Sequence, residues 1–279
     1  MLNPLTFSTL ACPEWPAATV VERAAAFGYA GLEWRGGSEG HVPLGMSVAD
    51  CRALRRHVAQ AGLFSLAVTA YTAFTAPDAA EREANVVNAR RTVDLAADLG
   101  ARYVRVFLGE LPPGRSVADA QTGILESLHA AAEYAAAQDV ILAVEPHDDF
   151  VRSETVAPIL AALPHPAVRV IWDVGNAYSA GELPAETWPR LGPRLAYVQL
   201  KDGIGQGETW RLTPLGEGQV PLAAAMALLR GGPQPFTGAL SLEWERAWHP
   251  HLDPAERALP AARPVLERLR AQPASGSAT

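Results

Sequence analysis

Four apolar segments of the chain end in, or close to, side chains that offer oxygen ligands. These side chains are Glu145 in VILAVE, Asp173 in VRVIWD, Gln199 in LAYVQLK and Glu243 in ALSLEW. Carboxylates crowded at the ends of buried strands repel one another and lose hydration, and both effects are costly. A divalent cation offsets both the repulsion and the lost hydration, because the carboxylate oxygens bind the cation in place of water. The four residues therefore predict a metal site with three carboxylates and one amide oxygen.

The identity of the ion follows from the ligand type. Hard oxygen ligands favour Mn²⁺ or Mg²⁺, while the geometry could also admit Zn²⁺ or Co²⁺. A single carboxylate at a strand end could instead cap a neighbouring helix or pair with an arginine. Three carboxylates at equivalent strand ends are better explained by one divalent ion that binds all three than by three separate structural roles.

Two polar residues lie directly beside the predicted ligands in the sequence. His147 follows Glu145 by two residues and could donate a hydrogen bond to a substrate oxygen or to a ligand carboxylate, although a loop histidine bonded to backbone is the alternative. Lys201 lies on the same strand face as Gln199 and could bind a hydroxyl or a phosphate.

Earlier strands carry further charged candidates. Glu33 and Arg35 lie two residues apart and are expected to share a face, so they could form an ion pair, or Arg35 could hold a substrate anion. Arg105 lies inside the segment YVRVFL and could bind substrate or serve as a buried partner of Glu33 or Glu145.

The elements that must position these residues alternate strictly between apolar strands and longer helical segments. The eight predicted strands are 5–10, 30–35, 64–70, 103–108, 140–145, 168–173, 195–201 and 239–244. This alternation is typical of a parallel sheet, and eight units in 279 residues predict an α/β fold, a single-domain (β/α)8 TIM barrel. A doubly wound open sheet is the alternative, but no G-x-G-x-x-G loop opens a helix.

The domain is predicted to cover residues 1–270, and the small polar residues 271–279 are predicted to form a flexible tail. The formal charge of −7 disfavours nucleic acid and anionic membranes as partners. Two cysteines, no apolar run of membrane-spanning length and no basic leader indicate a cytoplasmic protein.

Several segments together carry a family resemblance. They are GLEWRG, YVRVF, LAVEPHDD, WDVGNAYSAGE, YVQLKDG, PLGEGQVP and GALSLEWE, in this order along nearly the whole chain. With them the sequence resembles the sugar phosphate isomerase/epimerase family of xylose isomerase-like TIM barrels. The resemblance implies one divalent metal held at the positions of Glu145, Asp173, Gln199 and Glu243.

Two positions depart from the pattern of the family. The ligand on the seventh strand is most often histidine, whereas this chain has Gln199, as hydroxypyruvate-isomerase-like members do, and this change favours a harder ion than Zn²⁺. A histidine is also common three residues after the aspartate, where this chain has Asn176. Asn176 could still donate a hydrogen bond to substrate, but it cannot titrate near neutral pH.

The resemblance implies an enzyme that moves a proton next to a carbonyl of a sugar, or of a sugar-like keto acid or polyol, through an enediolate. Glu145 and Glu243 would then be both ligands and the acid/base pair. His147, Asn176, Lys201, Arg35 and Arg105 are the candidate substrate-binding residues. The substrate would be a small carbohydrate, and the family also leaves a homo-oligomer open.

Three other functions remain as alternatives. A metal-dependent dehydratase of the inosose or dehydroshikimate type would use the same site. An apurinic-site endonuclease needs a trinuclear zinc cluster with further histidines, and the segments LAVTAYTAF, VRVFLGE, WDVGN and YVQLKDG contain none. A non-catalytic protein that binds metal or sugar is the third.

Overall fold

The computed structural model describes residues 3–231 and 234–271, and its centre is a closed parallel barrel of eight strands. The barrel strands are β1 (Leu5–Ser8), β2 (Gly31–Trp34), β3 (Phe64–Thr69), β4 (Tyr103–Val106), β5 (Ile141–Val144), β6 (Val168–Asp173), β7 (Leu195–Leu200) and β10 (Leu240–Leu242). Each strand pairs with its neighbours in the chain, and β10 closes the barrel against β1. The predicted single-domain (β/α)8 barrel is confirmed, and the open sheet is excluded.

Helices follow the strands and surround the barrel. Within the described residues they are α1 (Ala17–Ala26), α2 (Val48–Gln60), α3 (Ala79–Leu99), α4 (Val117–Ala137), α5 (Ser153–Ala162), α6 (Val174–Ser179), α7 (Pro184–Leu191), α8 (Leu222–Arg230) and α9 (Ala255–Ala271). None of these helices is both long and apolar enough to span a bilayer. The predicted tail falls outside the described residues from position 272 onward, and residue 271 belongs to α9.

Local sequence determines where the long helices begin and end. Ser116 starts α4 with a capping box, in which its hydroxyl accepts from the Asp119 N–H at 3.3 Å and the Asp119 carboxylate accepts from the Ser116 N–H at 2.9 Å. The Asp78 carboxylate caps α3 by accepting from the N–H groups of Ala80 and Glu81. Gly100 ends α3 with a φ of 69°, a left-handed conformation that glycine adopts at little cost.

Apolar packing divides into two clusters, one outside and one inside the barrel. The large cluster fills the space between strands and helices. The small cluster, which includes Ile171 and Tyr197, packs inside the barrel. Buried polar side chains, among them Glu33 and Gln199, lie in the part of the interior that leads to the carboxyl ends of the strands.

A short antiparallel hairpin that the sequence did not predict follows the seventh barrel strand. It pairs β8 (Asp202–Ile204) with β9 (Arg211–Thr213). The buried Asp202 carboxylate accepts four backbone N–H groups, from Gly203, Gly216, Gly218 and Val220, at 2.9–3.1 Å. A Cβ at Gly218 would overlap this carboxylate, which explains a glycine in the segment LGEGQVP. Asp202 thus holds the loop that returns from the hairpin to α8.

Replacement of Asp202 by alanine is expected to lower the free energy of unfolding by about 3 kcal/mol, because buried N–H groups lose a charged acceptor. Urea denaturation followed by circular dichroism measures this loss. The matched control is Asp98→Ala, which removes only a surface contact of 3.9 Å to Arg52 and should cost about 1 kcal/mol or less. Equal losses in the two variants would contradict the role given to Asp202.

Candidate active site

Four predicted metal ligands converge at the carboxyl end of the barrel. Asp173 is the last residue of β6 and lies opposite Gln199 of β7 in the strand register. Glu145 and Glu243 each follow a strand by one residue, and their backbone N–H groups still bond to the neighbouring strands, at 3.0 Å. All four side chains are buried. The barrel register therefore fixes the backbone of every candidate ligand.

Glu145, Asp173 and Glu243 form a compact carboxylate cluster. Each offers an oxygen, and these oxygens lie within 4.8 Å of one another, close enough for one cation to contact all three. Gln199 reaches the cluster, since its Nε2 donates to Glu243 Oε1 at 3.2 Å. Its Oε1 is buried and has no hydrogen-bond partner among the described residues. An unpaired buried oxygen beside three carboxylates fits a hard divalent ion.

The amide of Gln199 is oriented from below by Glu33. Glu33 is fully buried inside the barrel and accepts from Gln199 Nε2 at 3.0 Å, from the Tyr197 hydroxyl at 2.9 Å and from Ser241 Oγ at 3.0 Å. Because a carboxylate only accepts, the NH₂ group of Gln199 must face Glu33. Its oxygen is thereby left for another partner.

Two buried cations contact the carboxylate cluster. Arg105 Nη1 lies 2.8 Å from Glu145 Oε2 and 3.5 Å from Glu243 Oε1. Its guanidinium also packs over the ring of Phe107, 4.5 Å from the centroid. Arg105 is therefore a buried partner of Glu145, which was one of the two roles that the sequence left open. Arg105 also lines the adjoining cavity.

Lys201 is the second buried cation. Its Nζ donates to Glu243 Oε2 at 2.8 Å, contacts Glu245, and lies 2.9 Å from Asp173 Oδ2. The contact to Asp173 is an ion pair without the angles of a hydrogen bond. A Cβ at Gly175 would overlap the Lys201 side chain, so this glycine makes room for it. Together the two cations offset part of the negative charge of the cluster.

Burial and charge shift the pKa values of the cluster in different directions. Burial raises the pKa of Glu145 to about 7, although Arg105 acts against it, and burial likewise raises the pKa of Asp173 to about 7 against Lys201. Burial also acts to raise the pKa of Glu243, but Lys201 and Arg105 together hold it below its ordinary value. Such divergence between neighbouring carboxyl groups is typical of catalytic sites.

A cavity of about 450 Å³ opens onto the cluster, and its walls include Glu145, Glu243, Lys201, Arg105 and His147. The His147 ring packs on Phe107, with centroids 4.5 Å apart. Its Nδ1 lies 2.7 Å from Asp148 Oδ1. Burial acts to lower the pKa of His147, but the bond to Asp148 and the nearby Glu145 raise it overall. His147 thus faces the cavity that adjoins the carboxylate cluster.

Asn176 lies on α6, beside the cluster. Its backbone N–H donates to Asp173 Oδ1 at 2.8 Å, and its Nδ2 lies 3.3 Å from Glu145 Oε1. It therefore contacts two of the candidate ligands.

The predicted ion pair between Glu33 and Arg35 is wrong. Arg35 lies beyond the last residue of β2, where side chains no longer alternate with the strand, so it leaves the face of Glu33. Its Nη1 donates to the Glu39 carbonyl at 2.9 Å, and its guanidinium packs over the Trp248 ring. Arg35 lines a second cavity that adjoins the first.

The structure adds two residues to the site that the sequence did not single out there, Glu245 and Tyr71. Glu245 contacts Lys201, and Tyr71 and Trp248 form walls common to both cavities. Only Glu245 carried a signal, its two-residue spacing from Glu243. Tyr71 and Trp248 lie in loops beyond strand ends, where no periodicity predicts direction.

Comparison with known proteins agrees with this architecture. The family model described as xylose isomerase-like TIM barrel matches residues 21–269. No curated protein sequence matches the chain.

Solved structures with the same fold share little sequence. A structure of the IOLI protein with a bound zinc atom has a TM-score of 0.80 at 17% identity, over 95% of this chain and 97% of that one. The structure of D-psicose 3-epimerase in the presence of D-fructose has a TM-score of 0.77 at 15% sequence identity, and the match covers 96% of this chain and 99% of that one. A third structure is that of the probable 3-DHS dehydratase AsbF from Bacillus anthracis, which is involved in petrobactin synthesis. Its TM-score is 0.76 at 16% sequence identity, and the match covers 96% of this chain and 99% of that one.

Proposed function

The chain belongs to the xylose isomerase-like TIM barrel family, and from this premise we propose that it is a divalent-metal-dependent isomerase or epimerase of a small carbohydrate. The reaction would be proton transfer next to a carbonyl, through an enediolate. The proposal includes a cytoplasmic location and no nucleic-acid partner. The observation that carries it is the buried cluster of three carboxylates beside the free Gln199 oxygen.

The residues that would hold the ion are Glu145, Asp173, Gln199 and Glu243, with Mn²⁺ or Mg²⁺ preferred because every ligand atom is oxygen. When bound, the ion supplies Lewis-acid polarisation of the substrate carbonyl and stabilises the negative charge that develops on it. D-psicose 3-epimerase, which has this fold, is an enzyme that acts on a sugar. The IOLI structure contains a zinc atom.

Proton transfer would be the task of Glu145 and Glu243. Both carboxylates line the cavity, so one can accept the proton from the carbon while the other returns a proton. Arg105 contacts both and would keep them at a fixed separation. His147 and Asn176 would donate hydrogen bonds that orient the hydroxyl groups of the substrate, while Lys201 would fix the position of Glu243.

Two linked measurements test this proposal. Metal analysis of the purified protein should give one divalent ion per chain, and chelation should abolish turnover, which returns on addition of Mn²⁺. Candidate ketoses are then incubated in heavy water with the metal-loaded enzyme. Deuterium should enter at C2 or C3 without loss of a hydroxyl. A metal-loaded protein that exchanges no proton on a broad panel of ketoses, keto acids and polyols would contradict the proposal.

A dehydratase is the second candidate, because AsbF shares the fold and the same cluster could serve elimination. His147, hydrogen-bonded to Asp148, is placed at the cavity wall where it could protonate a leaving hydroxyl. The heavy-water experiment separates the two reactions. Label retained in a product of unchanged composition indicates isomerisation or epimerisation, whereas a product lighter by one water indicates dehydration.

A further inference from the structure

Arg35 is a buried cation whose charge has no carboxylate partner among the described residues. The residue is only 8% exposed. Its Nη1 donates a hydrogen bond to the backbone carbonyl of Glu39, and its Nε is buried without a partner in the described parts of the chain. Removal of a guanidinium from water without an opposing charge is costly. Packing over Trp248 at 4.7 Å offsets only part of that cost.

The contrast with the other two buried cations of the site is informative. Arg105 is neutralised by Glu145 and Glu243, and Lys201 by three carboxylates. Because carboxylates of the protein already pair with both cations, neither is available to pair with a ligand anion. Among the described basic residues that line the two cavities, Arg35 alone keeps its charge free for one.

A second unpaired donor lies in the same cavity. The Tyr71 hydroxyl is buried and has no hydrogen-bond partner within the described part of the chain. Tyr71 and Arg35 both line this cavity of about 390 Å³. Because Tyr71 and Trp248 also line the active-site cavity, a molecule bound at the carboxylate cluster could extend into this space.

We propose that Arg35 and Tyr71 form a subsite that binds an anionic group of the substrate, a carboxylate or a phosphate, while the carbonyl end lies at the carboxylate cluster. This inference rests on the proposed function and narrows its substrate class to sugar acids or sugar phosphates. Trp248 forms an apolar wall on which the carbon chain of such a substrate packs.

Calorimetric titration with two simple anions tests the subsite without turnover. Sodium phosphate and sodium acetate are titrated separately into the wild-type protein and into Arg35→Met, Tyr71→Phe and Arg56→Met, the last an exposed arginine outside both cavities. The wild type should bind at least one anion, and Arg35→Met should weaken it about tenfold or more. Tyr71→Phe should weaken it less, and Arg56→Met should leave it unchanged.

Preference for phosphate indicates a sugar phosphate, and preference for acetate indicates a sugar acid. A wild-type protein that binds neither anion, or an Arg35→Met variant that binds as well as the wild type, would overturn the subsite. If Arg35→Met loses its native circular dichroism spectrum, Tyr71→Phe decides the test, because it should still weaken anion binding relative to the wild type. Because the titration requires no metal and no reaction, a failure of the proposed function would leave its result interpretable.

Discussion

Glu243→Gln is expected to lower the rate of deuterium exchange into substrate about a thousandfold, and Glu145→Gln by a similar factor, because each loses a group that transfers a proton. The amide has nearly the same shape and keeps one oxygen for a metal, but it cannot accept a proton from carbon. Glu243 is the more constrained residue, since its carboxylate contacts Gln199, Lys201 and Arg105 at once. The measurement is exchange under saturating Mn²⁺, with metal content determined on the same samples.

Metal content separates two causes of the loss. A variant that retains one ion per chain and does not exchange has lost proton transfer, whereas a metal-free variant has lost a ligand. Glu208→Gln is the matched control, because Glu208 is exposed in the turn between β8 and β9. It should keep the wild-type rate. Exchange in metal-loaded Glu243→Gln or Glu145→Gln within about tenfold of the wild-type rate would remove that residue from the acid/base pair.

The barrel could be predicted from the sequence because parallel strands covered on both faces are apolar along their whole length. The segment 168–173 matches β6, Val168–Asp173, and the segment 140–145 exceeds β5, Ile141–Val144, by one residue at each end. Since strand ends lie together at one rim of the barrel, the convergence of the carboxylates also followed from the sequence. Their role as metal ligands stays a prediction.

Features that depend on side-chain reach could not be predicted. Strand alternation predicts that Arg35 shares the face of Glu33, but the strand ends at Trp34 and the alternation ends with it. The loop between the hairpin and α8 is held by N–H groups as far as 18 residues from Asp202 that donate to its carboxylate, and no local pattern signals such bonds. Lys201 likewise reaches Asp173 on the neighbouring strand only because Gly175 leaves room for its side chain.

Arg105→Met is expected to lower the free energy of unfolding of the metal-free protein by about 3–5 kcal/mol, since it leaves the buried Glu145 without its ion-pair partner and Glu243 with Lys201 alone. Arg105 lies at hydrogen-bonding distance from Glu145, and Coulombic attraction from Glu145, Glu243 and Glu33 raises its pKa although burial alone would lower it. Methionine keeps much of the apolar volume and none of the charge. The measurement is urea denaturation of chelator-treated protein.

The same variant reports on the cluster itself. If the carboxylates share one cation site, Mn²⁺ supplies positive charge that Arg105 no longer provides, and its binding to the folded state should restore part of the lost stability. Arg102→Met is the matched control, because Arg102 forms only an exposed pair with Asp139 at 3.0 Å and should change stability by about 1 kcal/mol or less. An Arg105→Met protein as stable as this control would mean that Glu145 is already neutral without Arg105, and the picture of an ionised cluster held by buried cations would be wrong.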